Sequence, residues 1–221
     1  MKLNRRGFFR LMGIAGASAL LQPTSAGAGD RIWLKGPNGS GKSTLLKLMC
    51  GMIPHFQRGR IFQGEVSIDG RSLTRHPPKA FFPLVGYIPP RDVEFFLLTE
   101  SLGEEILLCE AFLQSPPGWS DSVEALIAQI PLAAGLRNLP LPRMSEGEKR
   151  LALFVLYLCQ GAELFLLDEV FRSSDPRLDP AWEALLDRAA ARGAAVLYAG
   201  HEPMKGATSA WTIRKKKLIT R

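Results

Sequence analysis

Gly36-Pro37-Asn38-Gly39-Ser40-Gly41-Lys42-Ser43-Thr44 fits the pattern G-x-x-x-x-G-K-[ST] at each fixed position. Ile32, Trp33 and Leu34 before it form a short apolar, β-prone run, and Leu45, Leu46, Leu48 and Met49 after it are apolar at helical spacing. The stretch therefore joins a strand to a helix. Glycines let such a loop curl until several backbone N–H groups point at one phosphate, and the new helix adds the positive end of its dipole. In that arrangement Lys42 reaches the β- and γ-phosphates of a nucleotide, and the Ser43 hydroxyl ligates Mg²⁺. A glycine-rich turn without a ligand is the plainer alternative, and the rest of the chain argues against it.

Downstream, Ser145 opens a helix whose residues Leu151, Leu153, Phe154, Leu156, Tyr157 and Leu158 are apolar nearly all round, as a deeply buried helix requires. Leu164 to Leu167 then read as a fully buried strand ending in Asp168-Glu169. After Asp175-Pro176 a helix runs from about Pro180 to Ala191, followed by a strand from Ala194 to Tyr198 and by His201. Strand and helix in alternation predict a mostly parallel sheet with covering helices, an α/β fold of the P-loop NTPase kind. Ligands in such sheets bind at the carboxyl ends of strands, where the phosphate loop, Asp168-Glu169 and His201 all fall. A buried strand holds two carboxylates rigidly, so Asp168 can hold Mg²⁺ while Glu169 orients and deprotonates water. A lone histidine such as His201 is more often structural, though here it can hold a γ-phosphate.

Between these motifs the chain changes character twice. Gly64-Glu65-Val66-Ser67-Ile68 alternates like a strand before an Asp69-Gly70 turn, Pro54 and Pro77-Pro78 break the chain, and Val85 to Ile88 reads as a buried strand stopped at Pro89-Pro90. From Asp92 to Met144 the pattern is helical: Ser101 with Glu104 and Asp121 with Glu124 read as capping boxes, and Pro116-Pro117-Gly118 as the loop between the two helices. This predicts an inserted helical subdomain over about 92–144.

The 221 residues are 46% hydrophobic and 22% charged, enough for one sizeable core. Much of the net charge of +7 sits in terminal clusters, Lys2 to Arg10 and Arg214 to Lys217, which read as solvated termini rather than a nucleic-acid contact. Cys50, Cys109 and Cys159 lie in apolar surroundings without C-x-x-C spacing, so buried free thiols are expected. The first 28 residues follow another rule: Arg5-Arg6 and Arg10, then apolar Leu11 to Leu21, then small residues through Ala26-Gly27-Ala28. That order resembles a twin-arginine export signal, and its apolar run is too short to span a bilayer. A poorly structured extension that is never processed is the other reading.

The order of motifs resembles the nucleotide-binding subunit of the ABC transporter ATPases from about Gly29 to the C-terminus. The matching pieces are the phosphate loop, Met144-Ser145-Glu146-Gly147-Glu148 in place of L-S-G-G-Q, Leu164 to Glu169, the loop through Asp175, and His201. Ile53-Pro54-His55-Phe56 and Gly64 to Gly70 look most like the energy-coupling branch that powers vitamin and metal-ion uptake. The resemblance implies a homo- or heterodimer holding each ATP between one subunit's phosphate loop and the other's Ser145 and Gly147. It implies Lys42, Glu169 and His201 as catalytic groups, Ser43 and Asp168 as Mg²⁺ ligands, and a membrane-spanning partner subunit on the cytoplasmic face of a bacterial inner membrane.

The chain departs from that family pattern in places. Pro90 stands where the family's Mg²⁺-sensing glutamine follows Tyr87-Ile88-Pro89, Glu146 replaces the first signature glycine, and no aromatic residue for stacking on adenine occurs between Arg10 and Ile32. The export-like segment takes the place of the family's N-terminal antiparallel strands. These changes predict slow or partner-dependent hydrolysis. The alternatives are an exported or membrane-tethered relic without catalysis, and a soluble ATP switch that acts on another macromolecule.

Overall fold

A computed structural model describes residues 9–16, 19–20, 24–52, 63–68, 71–72, 84–112, 118–129, 135–171, 175–214 and 217–220. The first elements are β1 (Phe9–Gly16), β2 (Ala19–Leu20), β3 (Thr24–Ala26), β4 (Arg31–Lys35), α1 (Lys42–Met49), β5 (Gln63–Ile68), β6 (Arg71–Ser72) and β7 (Val85–Ile88). After them come α2 (Leu102–Phe112), α3 (Trp119–Ala128), α4 (Glu146–Cys159), β8 (Leu164–Asp168), α5 (Asp179–Ala191), β9 (Ala195–Ala199), β10 (Ser209–Arg214) and β11 (Lys217–Thr220).

One sheet has the order β11-β10-β4-β9-β8-β7, parallel throughout except for the β10–β11 hairpin. Its strands are sided by the two-residue repeat of extended chain. On β8, Leu164 and Leu166 join the core under α1, whereas Phe165 and Leu167 join the larger core under α4 and α5. On β9, Leu197 and Ala199 take the first side and Val196 and Tyr198 the second. Both faces are covered, and hence these strands read as continuous apolar runs. Phe154 stacks on Phe165 at 4.2 Å between ring centres and meets Trp182 edge-on at 5.5 Å, which fastens α4 and α5 to the sheet.

A second sheet is antiparallel, in the order β2-β1-β5-β6 with β3 also on β1. This corrects one expectation. The export-like stretch does not displace the N-terminal antiparallel strands, because Phe9–Gly16 is itself such a strand, pairing Leu11 with Val66 and Phe9 with Ile68. An alternation of apolar and small residues suits a leader and a strand equally, and β5 supplies the edge that selects the strand.

The helical stretch holds α2 and α3. Glu104 N–H donates to Ser101 Oγ at 3.2 Å, but the Glu104 carboxylate accepts from Glu100 N–H at 3.1 Å, so the reciprocal half of the expected box falls one residue earlier. Asp121 is no cap: α3 begins at Trp119 after the left-handed Gly118, which leaves Asp121 in the first turn, where the helix dipole favours a carboxylate. Cys50, Cys109 and Cys159 are buried and none is in a disulfide, and burial pushes each thiol up to about 11. No helix among the described residues is long and apolar enough to cross a membrane. Arg5-Arg6, Ile53-Pro54-His55-Phe56, Asp69-Gly70, Pro77-Pro78 and Pro116-Pro117 lie outside the described residues.

Candidate functional site

The phosphate loop links the carboxyl end of β4 to α1. Gly41 caps α1 at φ 104°, a conformation in which a side chain would be strained. The loop therefore turns directly into a helix whose first N–H groups face out from the strand end. Lys42 is buried, and its ammonium donates to Gly36 O at 2.7 Å and Pro37 O at 3.3 Å. These carbonyls hold the cation over the loop, where an incoming phosphate can replace them.

Strand parity delivers Asp168. It follows Leu164 and Leu166 on the α1 side of β8, fully buried, and Ser43 Oγ on α1 donates to its Oδ1 at 3.1 Å. Tyr87, on the neighbouring strand β7, donates its hydroxyl to Asp168 Oδ2 at 3.4 Å. Burial pushes the Asp168 carboxyl above its ordinary value, with the Ser43 hydroxyl pulling the other way. Burial and the charge of Asp168 also push the Tyr87 phenol upward, so its O–H remains the donor. A buried carboxylate next to a serine hydroxyl at a phosphate loop is an oxygen donor set suited to a hard divalent ion such as Mg²⁺. Among the described residues no group of three or more His, Cys, Asp or Glu is placed to hold a metal ion.

Glu169 leaves the strand with φ 51°, one of two non-glycine residues with positive φ among those described. Its N–H donates to Ala199 O at 2.8 Å, and its Oε1 lies 3.6 Å from Nε2 of the half-exposed His201. A left-handed glutamate costs on the order of 1 kcal/mol and persists only where its surroundings hold it. The turn carrying His201 is fixed as well: Trp33 on β4 donates its indole N–H to Gly200 O at 3.0 Å, and a Cβ on Gly200 would collide with the Tyr198 hydroxyl. The sequence alone did not single out Trp33 or Tyr87, although each lies on a motif-bearing strand.

The loop of Gly36 to Thr44, Asp168, Glu169 and His201 thus gather at one end of the parallel sheet. Ser145 and Gly147 stand elsewhere in the fold, at the start of α4. Ser145 and Glu148 form a reciprocal cap, Ser145 N–H to Glu148 Oε2 at 2.7 Å and Glu148 N–H to Ser145 Oγ at 3.3 Å. The signature glutamate is not left bare: Lys149 donates to Glu146 at 3.0 Å and lies 3.7 Å from Glu94. Pro90 offers no side-chain acceptor, and its carbonyl accepts from Arg150. Beside it a groove of about 600 Å³ is lined by Pro89, Tyr87, Phe95, Phe96 and Tyr157, with Phe95 80% exposed at its rim.

A family model described as ABC transporter matches residues 24–172. The chain belongs to the ABC transporter ATP-binding family. An ABC transporter ATP-binding protein of Caldanaerobacter subterraneus subsp. tengcongensis is 33% identical over 179 residues, covering 78% of this chain and 70% of that protein. The cytochrome c biogenesis ATP-binding export protein CcmA of Rhizobium etli is 30% identical over 178 residues, covering 80% of this chain and 78% of CcmA. An ABC transporter ATP-binding protein of Streptomyces avermitilis is 29% identical over 161 residues, which are 72% of this chain but only 28% of that protein, so this chain spans little more than a quarter of that relative. Among solved structures, cbiO1 from Clostridium perfringens, described as part of the ABC transporter complex cbiONQ, superposes with a TM-score of 0.77 over 96% of this chain and 87% of that one. At 15% identity it speaks to the fold alone. Fold and motifs together make this an ABC-type ATPase domain.

Proposed function

We propose that this chain binds Mg-ATP at the phosphate loop and hydrolyses it slowly, as a dimer, to drive a membrane-spanning transporter subunit. The observation that carries the reading is the meeting of Ser43, Asp168, Glu169 and His201 beside the loop. The N–H groups of Gly39 to Thr44 and the Lys42 ammonium would take the phosphate oxygens, and Lys42 would exchange its two carbonyl partners for them. Ser43 and Asp168 would hold Mg²⁺, whose charge offsets that of the phosphates. Glu169 would accept a proton from the attacking water, and His201, 3.6 Å from it, would donate to the γ-phosphate.

The signature segment supports the slow, dimeric part of the reading. Glu146 brings a carboxylate to the place where a partner's triphosphate would approach Ser145 and Gly147, and Lys149 neutralises part of it. The exposed aromatic rim at Phe95 and the apolar groove behind it suit a docking segment of a membrane-spanning subunit, with the protein peripheral on the cytoplasmic side. Export would have to draw on the same Phe9–Gly16 stretch that pairs with β5. The reading is tested by steady-state Mg-ATP hydrolysis of the full chain beside Glu169→Gln. Slow turnover abolished by the substitution supports it; turnover that survives the substitution refutes the role given to Glu169.

A further inference from the structure

α4 is apolar on almost every side, yet Arg150 stands in its second turn at 7% exposure. Among the described residues no carboxylate lies within ion-pair distance of its guanidinium. Nη1 donates to Val170 O at 3.3 Å and Nη2 donates to Pro90 O, while Nε is buried without a partner. Burying a cation that forms no ion pair is costly even with the Glu146 carboxylate acting on it through space, and an apolar residue would fill this volume at less expense. What the arginine adds is its shape. A planar fork reaches two carbonyls from two different loops, which neither a leucine nor a point-charged lysine can do.

The two carbonyls are not arbitrary. Val170 follows Glu169, the residue held at φ 51°, so the strained glutamate is fastened on one side by its own N–H to Ala199 O and on the other through Val170 O to Arg150. Pro90 lies on the wall of the groove beside Phe95 and Phe96, and as a proline it has no N–H to offer. Its carbonyl is therefore its one polar link to the interior.

We propose that Arg150 is a positioning residue for Glu169, a clamp that ties the backbone after β8 to the groove wall after β7. Displacing Pro90 pulls on Val170 and turns the Glu169 carboxylate; keeping Pro90 in place keeps it aimed. The part that concerns catalysis rests on the assignment of Glu169 as general base, whereas the clamp does not.

Hydrogen exchange of the full chain, read by mass spectrometry for the parent protein, Arg150→Met and Arg150→Lys, separates the two. In Arg150→Met the amides of residues 91–93 and 169–171 exchange faster together, on the order of tenfold, the loss expected for charge-assisted hydrogen bonds, while residues 152–158 of α4 stay protected. An ammonium carries its donors on a single atom, and Lys42 meets two carbonyls because they belong to adjacent residues. The carbonyls of Pro90 and Val170 come from separate loops, so Arg150→Lys protects at most one of the two segments. Faster exchange across α4, at one segment only in Arg150→Met, or at neither, overturns the clamp. So does parent-like protection of both segments in Arg150→Lys, which also decides the matter if Arg150→Met does not fold. In hydrolysis, Arg150→Met lowers kcat by on the order of tenfold with KM for Mg-ATP within about twofold. An unchanged kcat with a raised KM refutes the positioning role. A parent protein without turnover refutes the hydrolytic reading instead, and the exchange data still judge the clamp.

Discussion

The end of the sheet that carries the phosphate loop and the start of α4 that carries the signature segment have been built by different rules. At the sheet end Asp168 is fully buried, Lys42 nearly so, and Glu169 is held in a strained conformation, while Ser43 and His201 remain exposed beside them. At the start of α4, Ser145 and Glu146 are exposed, and their bonds go to residues of the same turn, Glu148 and Lys149. A residue held among packed side chains cannot change without some cost in stability. An exposed helix cap can, so long as the cap survives. Glu146 leaves the Ser145–Glu148 cap intact.

That contrast can be broken at several points. The largest effect expected is at the sheet end, where Glu169→Gln lowers Mg-ATP turnover by roughly 100-fold or more while leaving nucleotide affinity near the parent value, as loss of a general base does. Turnover can be followed by phosphate release and affinity by calorimetry. Next comes the packing on which the comparison depends. Burial raises all three thiols from 9.0 to about 11, so at pH 8 the thiolate population falls about 100-fold. Alkylation of the native protein should be slower than in denaturant by that factor or more, and should rise with pH until about 11. If Cys109 on α2 reacted far faster than Cys50 beside α1, the helical part would be looser than the sheet end, and that looseness would explain the contrast instead.

The smaller effects belong to the signature segment. Glu146→Gln removes the carboxylate and keeps the shape, and it should tighten ATP-dependent dimerisation by about tenfold, within the range of a single charge near a surface. Lys149→Ala exposes the carboxylate and should weaken association by a smaller factor, since exposed pairs contribute on the order of 1 kcal/mol or less. Both can be read by sedimentation of the Glu169→Gln protein with Mg-ATP. Equal association in all three would mean that the signature segment does not face a nucleotide.

The sheet end was legible because its signals are local. Leu164 to Leu167 announce a strand buried on both faces that ends in Asp168-Glu169, and the loop pattern fixes Lys42 and Ser43; that Asp168 faces α1 needed the structure. Ser145 to Glu148 was equally plain, since a capping box needs only four residues. Other links were out of reach for a physical reason. Arg150 meets Pro90 across 60 residues and Trp33 meets Gly200 across 167, contacts that no periodicity records. An arginine inside an otherwise apolar helix was the one available hint of the first. The strand at Phe9–Gly16 was not legible because apolar and small residues after a basic start describe a leader and an antiparallel strand alike, and its partners on β5, Gln63 to Ile68, lie far along the chain.

The most direct test of the account is calorimetric titration of Mg-ATP into the full chain, with β1 in place, beside Lys42→Ala. The account predicts binding in the micromolar to low-millimolar range that Lys42→Ala weakens by roughly 100-fold, the loss of a charge-assisted contact to phosphate. Equal binding by both proteins, or none by the parent chain, would contradict it.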